Sequence, residues 1–131
     1  MGGWGTGSFE NEDAQGFLGQ LKSLGIDDLK QILACAADDG SYIGAPESSV
    51  AIAAAEVIAA LKGAPSQTVS REIEAWVGKT HGGSTPELNE LASRAVNKVR
   101  LNSELKDLWL QAEGLNEWSA GLRDLEQRLA N

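Results

Sequence analysis

Apolar residues recur every three or four positions along almost the whole chain, and no segment alternates apolar and polar residues long enough to form a strand. That pattern predicts an all-α protein, a compact and non-repeating bundle of about six or seven short helices behind a glycine-rich N-terminal arm. The first helix should start at Asn11, an N-cap residue, with Glu12 and Asp13 in its first turn, where the helix dipole favours acids. Ala14, Phe17, Leu18, Leu21 and Leu24 make its stripe, and Gly25 ends it. A second helix from about Asp27 carries Leu29, Ile32, Leu33 and Ala36 and stops at DDGSYIGAP, a loop anchored by Tyr42 and Ile43.

The third helix reads ESSVAIAAAEVIAALKG, with Pro46 at its start and Gly63 at its end. Val50, Ala54, Val57, Ile58 and Leu61 form one face, while Ile52, Ala53 and Ala60 leave the other face apolar too. A helix apolar nearly all round belongs at the centre, and its alanines allow neighbours to approach closely. A short fourth helix buries Val69, Ile73, Trp76 and Val77. A fifth begins at Thr85 and Pro86 and buries Leu88, Leu91, Ala92, Ala95 and Val99, with Glu90 and Arg94 placed to pair across one turn. A sixth, capped near Asn102 or Ser103, carries Leu105, Leu108 and Trp109 as far as Gly114. The last starts near Asn116, with Trp118, Leu122, Leu125 and Leu129 in one stripe and Arg123, Asp124, Glu126 and Arg128 opposite.

The 131 residues are expected to form one helical domain, with residues 1–10 as an arm packed on the body. A chain of this length buries roughly two thirds of the surface its unfolded form exposes, so it needs no disulfide or metal staple. Nineteen acids against 11 Lys and Arg give a net charge of -8, which repels phosphate backbones and anionic headgroups. Nucleic acid and membrane surfaces are therefore not expected partners. Cys35, the one cysteine, falls in the apolar pattern IDDLKQILACAA and is expected to be a small buried hydrophobe. No basic stretch followed by an apolar one opens the chain, and the run VAIAAAEVIAALK is too short for a membrane span and is broken by Glu56, so a cytoplasmic location is expected.

Two motifs come close to a nucleotide loop without completing it. Gly78, Lys79 and Thr80 read GKT, but Ile73 stands where a phosphate loop needs its first glycine, and His81, Gly82 and Gly83 follow in place of a helix. Gly3, Gly5 and Gly7 lack both a preceding strand and the later glycine of a dinucleotide loop. His81 is the sole histidine and falls in a loop, which weakens any histidine-based triad or zinc site. The helix that follows the arm has free amides, yet Glu10, Glu12 and Asp13 surround them, so a cation suits the place better than a phosphate. Glu12 and Asp13 alone cannot close a calcium or magnesium shell.

Glu56 is the one charge between Glu47 and Lys62 in a helix otherwise apolar on most sides. A buried carboxylate needs donors, a cation or a proton. It is therefore either a structural anchor, accepting bonds from backbone amides or an indole N–H of the arm, or part of a site. The candidate binding residues are Trp4, Asn11, Glu12, Asp13 and Glu56.

WGTGSFENEDA, from Trp4 to Ala14, resembles the opening W-G-x-G-x-F-x-N-D-x-A of a bacterial family of small helical proteins, domain of unknown function 4259. APESSVAIAAAEVIAALKG resembles that family's alanine-rich helix with its Glu, and NSELKDLW, from Asn102 to Trp109, its late N-S-E-L-x-x-L-W segment. Glu12 stands where the family has Asp. The resemblance implies an all-α fold and carries no activity with it. The arm itself reads as structure: its glycines permit tight turns against neighbouring helices, and Trp4 and Phe9 are expected to bury apolar area against the body.

No complete catalytic set is present, and no cofactor is expected. The composition favours a non-enzymatic interaction protein whose acidic surface binds a basic protein partner. The alternative is a small-ligand or metal-binding protein, conceivably a hydrolase, using Glu56 with the arm. Four tryptophans fit inside one small core as readily as at an interface, so the pattern sets no oligomeric state.

Overall fold

The computed structural model describes residues 5–38, 42–67, 69–80 and 82–130. Among these are seven α-helices: α1 (Glu12–Gln20), α2 (Ile26–Asp38), α3 (Ala45–Lys62), α4 (Arg71–Lys79), α5 (Pro86–Leu101), α6 (Glu104–Gln111) and α7 (Leu115–Ala130). A 3-10 turn, Leu21–Ser23, continues α1. The all-α bundle predicted from the periodicity is the architecture observed.

Side chains of the predicted type close the helix starts. Asn11 accepts from Ala14 N at 2.8 Å, Ser70 from Ile73 N at 3.3 Å, Thr85 from Leu88 N at 3.2 Å and Ser103 from Lys106 N at 3.1 Å. The start of α3 is capped from elsewhere in the chain. Gly44 has no side chain to offer, and Ala45 N donates instead to Glu104 Oε1 of α6 at 2.8 Å. Gly63 stops α3 in the left-handed region at φ 100, where a side chain would be strained, and its N–H reaches the carbonyls of Ala59 and Ala60.

α3 is the axle of the bundle and packs against each of the other six helices. Ala53, Ala54, Ala55, Val57, Ile58 and Ala59 are fully buried, as the apolar circumference of the sequence requires. α5 lies along it and also touches α2, α6 and α7, burying Leu88, Leu91, Ala92, Ala95, Val96 and Val99. Trp76 of α4 reaches across to donate its indole N–H to Leu24 O at 2.8 Å. Trp109 of α6 lies against Gly114, where an added Cβ would sit 2.6 Å from its ring, so this turn accepts no side chain without movement of the indole.

The segment before α3 is stapled to the start of α6. Ile43 is buried, forms an isolated parallel bridge with Ser103, and accepts from Glu104 N at 2.8 Å. Tyr42 stays exposed and donates its hydroxyl to Asp107.

Two local expectations are corrected. Cys35 is exposed, because α2 turns Leu29, Leu33 and Ala36 inward and this places position 35 on the outer face. Arg94 pairs with Asp38 of α2 at 3.1 Å, not with Glu90, since α2 lies directly alongside α5. Both charges of that pair are more than half exposed, so it adds little stability.

Two outcomes test this packing. Ala55→Leu inserts volume where α3 meets its neighbours and should cost about 1–3 kcal/mol in denaturant unfolding, while the same change at exposed Ala120 should stay within about 0.5 kcal/mol. Tyr42, the one tyrosine of the chain, has its pKa raised from 10.0 to about 12, first by the hydrogen bond to Asp107, then by partial desolvation and the charges of Asp107 and Glu104. The neutral phenol is the form the fold holds, so what the contact contributes is present below pH 10 and fades as pH climbs toward 12. An absorbance titration should find that high midpoint, and Asp107→Asn should move it back toward about 10.

Candidate functional site

Glu56 lies in the middle of α3 with its side chain 7% exposed. Its helix is sealed by neighbours, and the carboxylate is met there by the last turn of α7 and by the arm. Arg128 donates from one terminal guanidinium nitrogen to Oε1 at 3.0 Å and from the other to Oε2 at 3.2 Å, a two-pronged pairing. Ser8 Oγ donates to Oε2 at 2.7 Å. Both carboxylate oxygens are thus occupied.

Arg128 is held equally firmly. Its Nε donates to Asp124 Oδ2 at 2.9 Å, one turn back on α7, and a terminal nitrogen also donates to Ala64 O at 3.2 Å. Lys62 Nζ donates to the Arg128 carbonyl at 2.6 Å. Burial works against the guanidinium charge, but the hydrogen bond and attraction of Glu56, then those of Asp124, outweigh it and hold the pKa above the ordinary arginine value. The group is a permanent cation, so the pair does not rely on a titrating proton.

The placement of Arg128 differs from the expectation that it faces solvent opposite the leucine stripe. It stands one residue before Leu129 and three after Leu125, both buried, and so flanks the stripe. From such an edge a long side chain covers core with its stem and carries its head to a polar partner. Glu126 likewise turns partly inward to Arg100 Nε at 2.7 Å and Asn97 Nδ2 at 3.0 Å. The signal available in the sequence was the unanswered charge at Glu56, which calls for a cation from a stripe edge.

The remaining candidates occupy different roles. Asn11 spends its side-chain oxygen on the α1 cap. Glu12 and Asp13 are exposed, and among the described residues Glu56 makes no hydrogen bond to any of these three. Trp4 lies outside the described residues, as does His81. The arm meets Glu56 through Ser8, a residue the sequence reading did not single out. Around it, Gly7 N donates to Glu10 Oε1 at 2.9 Å and Glu10 N to Gly7 O at 3.1 Å, a small self-closed turn, while Phe9 packs on the core.

Beneath the arm lies a cavity of about 60 Å³ bordered by Thr6, Ser8, Asp13, Ser49, Trp109 and Trp118. It has room for little more than water-sized molecules and falls well below the roughly 300–1,000 Å³ of metabolite sites. Among the described residues no three His, Cys, Asp or Glu side chains converge to hold a metal ion. No described helix is long and apolar enough to cross a membrane.

The family model described as "Domain of unknown function (DUF4259)" matches residues 2–121. The chain belongs to this family. No curated protein and no solved structure matches it. The match covers the arm from residue 2, the Glu56 helix and less than half of α7, so Arg128 lies beyond the matched span.

The pairing predicts a definite pattern of stabilities. Glu56→Gln leaves Arg128 with only the exposed Asp124 as counter-charge and should cost about 1–3 kcal/mol. Arg128→Met strands the buried carboxylate and should cost more, about 3–5 kcal/mol. The double variant should be more stable than the sum of the single losses by about 0.5–3 kcal/mol, measured as a double-mutant cycle in urea; strict additivity would remove the pairing from the account.

Proposed function

We propose that this chain acts as a single helical domain, residues 1–131, and is a non-enzymatic protein-interaction module that engages a basic protein partner through its acidic surface. The observation that carries the reading is the contrast between its buried and its exposed acids. The one buried carboxylate of α3 is consumed by Arg128 and Ser8, which argues for a clasp between arm and body in place of a reacting group. The chain has 19 acids, and among the described residues only Glu56, Asp38, Asp124 and Glu126 stand in ion pairs. The rest outnumber the unpaired Lys and Arg and leave a net negative field, which speeds encounter with a basic surface and disfavours acidic ones.

A site for a small ligand or metal built from Glu56 and the arm is the weaker reading, because a ligand would have to displace a guanidinium from a nearly enclosed carboxylate. Immobilised protein exposed to extract of the cells that make it should retain a basic protein, and that complex should weaken steeply as salt rises from about 0.05 to 0.5 M. Retention of no basic partner, or a complex indifferent to salt, would overturn the proposal.

A further inference from the structure

The largest unfilled concavity among those described lies away from the arm, between α2 and the first turns of α3. This open groove of about 850 Å³ is floored by Leu24, Ile32 and Val50, which the bundle leaves only partly covered, over buried Ala36 and Ile43. Its polar lining is one-sided. Asp28 and Glu47 face it, no Lys or Arg lines it, and neither acid is in an ion pair among the described residues. At the Tyr42 end two more carboxylates are fixed in place, Asp107 on the Tyr42 hydroxyl and Glu104 on Ala45 N. The N-termini of α2 and α3 bring about half a positive charge each, which four full carboxylate charges outweigh. By contrast, the depression beside Leu101 mixes Arg94 and Lys98 with Glu126 and selects no sign.

We propose that this groove docks a short amphipathic helix of a basic partner, with apolar side chains at helical spacing on the floor and flanking Lys or Arg against Asp28, Glu47 and the carboxylates beside Tyr42. The proposal rests on the interaction reading above and gives it a location. Helix-in-groove recognition needs an apolar trough with a rim of complementary charge, and both are present here. The walls are already set: Asp28 accepts from Gly25 N at 2.8 Å, Ile43 O is tied to Glu104 N at 2.8 Å, and Pro46 stiffens the start of α3. Binding would therefore order little of the protein itself.

Cys35 stands in the groove wall and is the chain's one cysteine, which makes it a reporter of occupancy. The probe is a synthetic helix with leucines at every third and fourth position and lysines elsewhere. A matched peptide with glutamates in place of lysines is the control. The lysine peptide should slow maleimide modification of Cys35 about tenfold, and the glutamate peptide should not. Gln31→Lys with Glu47→Lys should weaken binding of the lysine peptide by about tenfold or more relative to Gln67→Lys with Glu72→Lys, an equal change of charge on exposed positions outside the groove.

Protection by both peptides alike would overturn charge-selected docking and make the groove a general apolar site. Binding without Cys35 protection, or equal weakening by the two variant pairs, would overturn the location while leaving the basic-partner reading intact. No binding of the lysine peptide would overturn the groove proposal as well. Retention of a salt-sensitive basic partner from extract judges the broader reading separately.

Discussion

A carboxylate in the middle of a helix buried on every side must meet a cation or give up its charge, and this bundle is arranged so that Glu56 meets one. α3 can be the axle only because its alanines let the other helices close around it, and that closure is what strips Glu56 of water. The guanidinium of Arg128 enters from the last turn of α7 and the hydroxyl of Ser8 from the arm, so one buried polar point joins three parts of the chain distant in sequence. Such a pair contributes modestly to net stability compared with an apolar substitute of similar shape. Its effect is on arrangement, since a shift of α7 or of the arm would leave a charge unanswered.

Much of this was legible in the residues. Asn11, Thr85 and Ser103 cap helices as their types and positions suggest, and the leucine stripes of α5 and α7 face inward. The central place of α3 follows from its apolar circumference. What periodicity misses is the edge of each stripe, where a residue can turn either way and only the neighbouring helix decides. Cys35 sits at such an edge and faces out; Arg128 sits at another and turns in. Arg94 has candidate acids both along its own helix and on α2, and the packing of α2 against α5 selects Asp38. The candidate site was half legible: the sequence marked Glu56 and the arm, but the partners that answer it, Ser8 and Arg128, emerge only from tertiary packing.

Membership in a family of unknown function brings a shared chain pattern with no chemistry attached. The physical reading of that pattern is that the N-terminal hallmark encodes a strap. Gly7 leaves room for the Glu10 carboxylate in the turn at residues 7–10, Asn11 caps α1, and Ser8, at a position the hallmark leaves open, touches Glu56 of α3. Among the described residues of the arm, Gly7, Ser8, Phe9 and Asn11 each make a contact within the fold.

Amide hydrogen exchange on the wild-type chain and Glu56→Gln tests the central claim, that the buried pair fastens arm and α7 to the axle, most directly. The account predicts that amides of residues 7–10 and of the last turn of α7 lose protection together and by more than those of α2 and α5. Unchanged protection in the arm and in α7, with Glu56→Gln folded as the wild type, would contradict it.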